Sequence, residues 1–167
     1  MRPLRGSHLI VPSWRLPVAS AISVIHPTDN RPVQIFPWQN VTVIGTTDIL
    51  HQQPLSIEPS ISQDEVDYLL MAINQQLPNA KIIENDIIST FSGIRPVVNY
   101  RATKNTSGKT TTPSQEKREH SIWQSEGLIT VAGGKLTTFR KIAEQVLLKT
   151  AKALSDTLPN LEKRVTE

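Results

Sequence analysis

The sequence predicts an α+β fold built on an antiparallel sheet with flanking helices. Strand-like and helix-like runs are segregated along the chain instead of alternating. Two pairs of strand-like runs are separated by gaps of hairpin length. Only two stretches keep helical spacing.

The elements follow in order. Residues 7–13 (SHLIVPS), 21–27 (AISVIHP), 31–38 (RPVQIFPW) and 40–48 (NVTVIGTTD) are β-branched or aromatic runs and read as four strands. Asp29-Asn30 and Gln39-Asn40 supply turn chemistry between them. Ser62 followed by Glu65 forms a capping box, and Asp64 adds favourable charge at a helix start. Val66, Leu69, Leu70 and Ile73 keep helical spacing until Pro78 stops the run, so a helix is expected over 63–77. Residues 86–98 return to strand chemistry. Residues 99–119 have almost no apolar content and read as a surface loop. A second hairpin is expected over 120–134, turning at Glu126-Gly127. The second helix spans 137–154, with Ile142, Val146, Leu147 and Ala151 on its buried face. Residues 155–167 read as a frayed tail.

Composition narrows the function classes. The formal net charge of +3 over 167 residues is too small to imply nucleic acid. The absence of cysteine excludes disulfides and thiolate metal sites. His8, His26, His51 and His120 lack metal-ligand spacing, so no metal is expected. No apolar run reaches the roughly 20 residues of a membrane helix. The chain is expected to be cytoplasmic, peripheral at an inner membrane surface at most.

The run VAGGKLTTFRKIAEQVLLK (131–149) carries the most chemistry. A strand ending in Gly133-Gly134 and turning into a helix leaves free N–H groups, and the helix dipole adds partial positive charge. Lys135 and the hydroxyls of Thr137 and Thr138 surround the same point. Such a turn suits a phosphate, a carboxylate or the electron-rich edge of a cofactor ring. It reads equally as a tight strand-to-helix turn with a threonine cap. It is neither a P-loop nor a G-x-G-x-x-G fingerprint, and neither motif occurs elsewhere in the chain. Arg95, in SGIRP, is a natural bidentate partner for phosphate. Taken alone, Arg95 and Arg118 read as solvated or ion-paired arginines. GTTD (45–48) reads as a turn with an Asx cap.

RGSHLIVPS, IFPWQNVTVIGTTD, DEVDYLLMAIN, FSGIRPV, REHSI and LITVAGGKLTTFRKIAEQVL, in this order over residues 4–150, resemble FAD-dependent glycerol-3-phosphate dehydrogenase. The resemblance implies an antiparallel-sheet substrate-binding domain over 1–125. It also implies the closing strand and helix of an FAD-binding domain, of the amine or D-amino-acid oxidase type, over 126–154. It implies flavin contacts at Gly133, Gly134, Lys135, Leu136 and Thr137, and substrate contacts at Arg95, Arg118 and Lys135. His8 and Lys135 become candidates for the catalytic base, with a group outside this chain equally open. The implied reaction oxidises sn-glycerol 3-phosphate to dihydroxyacetone phosphate by hydride transfer to FAD, with quinone as the final acceptor.

The family's G-x-G-x-x-G region, which binds the ADP half of FAD, has no counterpart here. The chain is therefore expected to be an internal fragment, inactive alone: a truncated gene product, or one piece of a split protein, with an N-terminal FAD-binding chain or further copies of itself as the candidate partner. The alternative is a stand-alone binding module for small phosphorylated ligands.

Overall fold

The computed structural model describes residues 2–97 and 120–155. The order of strands is β1 (Arg2–Pro12), β2 (Ile22–Ile25), β3 (Pro32–Trp38), β4 (Val41–Gly45), β5 (Ile49–Leu50), β6 (Ser89–Val97), β7 (Ser121–Ser125) and β8 (Leu128–Ala132). Helix α1 (Gln63–Gln76) lies between β5 and β6, and α2 (Phe139–Ser155) follows β8. The segregation of strands and helices is as expected. The chain divides into two compact units, one holding residues 3–95 and the other Arg2 with the described residues from 96 onward.

In the first unit the sheet order is β2-β3-β4-β1-β5, and β6 also pairs β1. β1 pairs β4 and β5 antiparallel, as β3 pairs β2 and β4. The short gap after Trp38 closes a hairpin with Trp38 opposite Val41, and Gln39 takes a positive φ of 52°. Asn30 turns the β2–β3 hairpin at φ 58°. Asparagine at such a position is cheap because its short side chain tolerates the left-handed region.

β1 runs longer than the sequence reading allowed, because its first half is polar. Leu4 and Arg5 pair β5, and residues 8–12 pair β4. Between these ladders three residues, Thr46, Thr47 and Asp48, stand opposite two, Gly6 and Ser7. Such a bulge re-aims side chains at the interruption.

α1 begins at the expected box: Ser62 N donates to Glu65 Oε2 at 3.0 Å. Its face of Val66, Leu69, Ala72 and Ile73 packs on Leu9, Val11, Val33, Ile35 and Ile44 to form the core. Alternation along β1 places Arg5, Ser7, Leu9 and Val11 on the helix side and Gly6 and His8 on the other face.

In the second unit, β7 and β8 form the expected hairpin, with Glu126 at φ 50° and Gly127 at φ 80°. α2 is preceded by a 3₁₀ turn over Leu136–Thr138. Its inward stripe is Ile142, Val146, Thr150 and Ala151. Leu147 corrects the expectation, being 60% exposed. It lies one residue past Val146, about 100° further round the helix. Lys149 Nζ instead donates to the Ile122 carbonyl at 2.8 Å, tying the helix to β7.

Candidate functional site

The site in the first unit is built on the face of β1 that points away from α1. Gly6 and His8 share that face because they are two residues apart in a strand.

His8 sits over Gly45, its partner in the β1–β4 register. A Cβ added to Gly45 would lie 2.2 Å from His8 Cδ2, so only glycine leaves room for the ring. The imidazole stacks on Phe91 of β6, with centroids 4.4 Å apart and planes 7° from parallel. Burial, aided by the neighbouring Arg95 charge, holds the His8 pKa below its ordinary value. The ring is therefore neutral at neutral pH. Its Nδ1 is buried and has no hydrogen-bond partner among the described residues.

Arg95, near the end of β6, reaches back across β1. Its guanidinium rests on Gly6, where a Cβ would come within 2.2 Å of Nη2. Nη2 donates to Thr46 Oγ1 at 2.9 Å, and Nη1 lies 3.4 Å from Asp48 Oδ1. Asp48 Oδ2 faces Arg31 Nη2 at 3.5 Å. The bulge thus works as a rack. Gly45 seats His8, Thr46 and Asp48 seat Arg95, and Thr47 points the other way.

Thr47 joins a second cluster behind the sheet. Its hydroxyl donates to Glu65 Oε1 at 2.5 Å and accepts from Ser7 N at 2.9 Å. Ser7 Oγ donates to Glu65 Oε1 at 2.8 Å, and Arg5 Nη2 pairs with Glu65 Oε2 at 2.6 Å. Burial pushes the Glu65 carboxyl up, but hydrogen bonds from Thr47, Ser62, Ser7 and Arg5 outweigh it and hold the pKa below its ordinary value. One carboxylate therefore pins β1 and the bulge to the start of α1.

In the second unit the glycine pair needs its glycines on backbone grounds. Gly133 has φ 79° and Gly134 φ 89°. A Cβ on Gly134 would lie 2.6 Å from Ile142 Cδ1 and 3.2 Å from His120 Cβ. Thr138, not Thr137, closes the turn: its hydroxyl accepts from Lys135 N at 3.3 Å and donates to Lys135 O at 2.9 Å. Lys135, Leu136 and Thr137 are exposed. The first turn of α2 holds no acidic residue.

The family model described as FAD dependent oxidoreductase matches residues 1–140. The chain belongs to that family. It is 36% identical over 144 residues to an aerobic glycerol-3-phosphate dehydrogenase of Bacillus subtilis, covering 86% of this chain and 24% of the relative. A Staphylococcus aureus protein of the same name is 32% identical over 155 residues, covering 92% of this chain and 26% of the relative. The X-ray structure of glycerol-3-phosphate dehydrogenase from Bacillus halodurans, complexed with FAD, matches with a TM-score of 0.73 at 28% identity. It covers 92% of this chain and 27% of that one. The chain therefore spans roughly a quarter of the length of these relatives.

Within this FAD-dependent family, the sequence-predicted residues divide between the two units. His8 and Arg95 come together on one face of β1, while Gly133, Gly134, Lys135, Leu136 and Thr137 form the turn before α2. Arg118 lies outside the described residues. The turn fits the ring end of a flavin by its donor set: a helix start with no carboxylate, a lysine and exposed backbone. The ADP end finds no G-x-G-x-x-G in the sequence. Gly6, Gly45, Thr46, Asp48 and Phe91 were missed as supports of the site. GTTD carried the one sequence signal, a compact polar run closing an apolar strand.

Proposed function

We propose that this chain supplies the substrate pocket and the flavin-facing turn for oxidation of sn-glycerol 3-phosphate to dihydroxyacetone phosphate. The observation that carries the reading is the pairing, on one face of β1, of a buttressed arginine with a neutral, half-buried histidine. Residues 1–125 hold the substrate, and residues 126–154 close on the cofactor.

Arg95 binds the phosphate or orients the glycerol hydroxyls through two parallel N–H groups, and Arg118 assists it. His8 takes the proton of the C2 hydroxyl, since a neutral ring can accept one at physiological pH. Lys135 is the second candidate for that proton. FAD supplies the acceptor for the hydride that leaves C2, completing a two-electron oxidation. Gly133, Gly134, Lys135, Leu136 and Thr137 would hold the edge of the flavin ring, with the positive end of α2 behind them. The acceptor for the reducing equivalents would be a quinone, with the protein cytoplasmic and peripheral at the inner membrane surface. The ADP half is held by residues beyond those of this chain, on an FAD-bearing partner or segment, so the chain by itself is inactive.

Thermal unfolding of the chain with added ligand tests the substrate half. sn-Glycerol 3-phosphate at a hundredfold excess over its Kd is expected to stabilise the chain by about 2.7 kcal/mol, and glycerol far less. Equal effects of the two ligands, or none, would sink the reading. Stabilisation that persists in every partnered state without flavin chemistry would favour a stand-alone module for phosphorylated ligands.

A further inference from the structure

We infer that Asp48 is the positioning residue for Arg95: its buried carboxylate, with Thr46, fixes the guanidinium in the orientation that receives the substrate's phosphate. The inference rests on the phosphate reading of Arg95 given above.

The Asp48 side chain is completely shielded, yet it is charged and faces two arginines through different oxygens. A buried carboxylate is costly unless paired, and here both oxygens are engaged. The pairing is weakly screened because it lies below the surface. Among the described residues, two guanidiniums face this one carboxylate. Arg95 is the more open of the two arginines, its side chain 30% exposed against 18% for Arg31. It is therefore the one that meets the ligand.

The mounting is geometric as well as electrostatic. Among the described residues, Thr46 and Asp48 hold adjacent nitrogens, Nη2 and Nη1, which sets the plane of the fork. Both contacts come from one bulge, whose extra residue aims positions 46 and 48 to the same side. The bare Cα of Gly6 lets the fork lie flat on β1. An arginine held this way loses less freedom on binding than a free one. With asparagine at 48 the shape survives, but the two cations face each other across a neutral group and Arg95 swings away.

The test uses D48N and T46V in the 167-residue chain. Two readouts are followed: the ¹H–¹⁵N signal of the Arg95 Nε–H, and calorimetric binding of sn-glycerol 3-phosphate with glycerol as control. Wild type is expected to give a sharp, slowly exchanging Arg95 signal. D48N should broaden it and weaken sn-glycerol 3-phosphate about tenfold, with T46V weakening it by about threefold. A purely structural Asp48 would lower the melting temperature of D48N while leaving the Arg95 signal and affinity intact, and that result overturns the proposal. Should D48N not fold, T46V decides on the same two readouts. A wild-type chain that fails to bind sn-glycerol 3-phosphate, while D48N still loses the Arg95 signal, overturns the functional reading and leaves the positioning role standing.

Discussion

Gly45 and His8 face each other across the β1–β4 ladder so closely that a Cβ on Gly45 would stand 2.2 Å from His8 Cδ2. Gly45→Ala therefore displaces the imidazole from Phe91. The expected cost is about 1–3 kcal/mol in chemical denaturation, as for other overpacked sites. The His8 pKa, followed by NMR titration, should rise toward its ordinary value as the ring leaves its half-buried seat.

Gly6→Ala acts differently. Its Cβ would meet the tip of the Arg95 side chain, which can swing aside. Stability is expected to change by less than about 1 kcal/mol. Affinity for sn-glycerol 3-phosphate, measured by calorimetry, should fall by about tenfold. Unchanged affinity would separate Arg95 from the ligand.

Acid destabilises the fold in two stages. The folded-state pKa of His8 is depressed, so between that value and the unfolded value of 6.5 the unfolded chain binds more protons. Stability is fully present above 6.5 and falls as the pH drops through the depressed value. Glu65, also depressed, contributes stability above 4.5 that is lost at lower pH. Urea unfolding across this range should show both stages, and His8→Asn should remove the first.

Glu65→Ala strands Arg5 in a buried setting and removes one hydrogen bond each from Ser7 and Thr47. Loss of one partner of such a pair costs about 3–5 kcal/mol. Loss of the whole cluster should loosen the bulge, seen as faster amide exchange at Ser7 and Thr47. A variant as stable as wild type would remove Glu65 from its central place.

Much of this was legible in the residues. The hairpin at Gln39-Asn40, the Ser62–Glu65 box and the turn at Glu126-Gly127 are local, and local chemistry reads directly from sequence. The polar first half of β1 was not, because the buried Arg5 and Ser7 are satisfied by Glu65, 60 and 58 residues away. GTTD was visible as a turn. Its role as the mount of Arg95 depends on a strand that arrives 47 residues after Asp48. Leu147 misled because both it and Val146 are apolar, and spacing alone does not say which faces inward.

The most direct test of the central claim is the visible spectrum of the chain assembled with FAD and a family member's ADP-binding part. Flavin bands that bleach anaerobically on adding sn-glycerol 3-phosphate, and stay unchanged with glycerol or with Arg95→Gln, are the predicted result. Bands that bleach equally with glycerol, or only with an amine or amino acid, would contradict it.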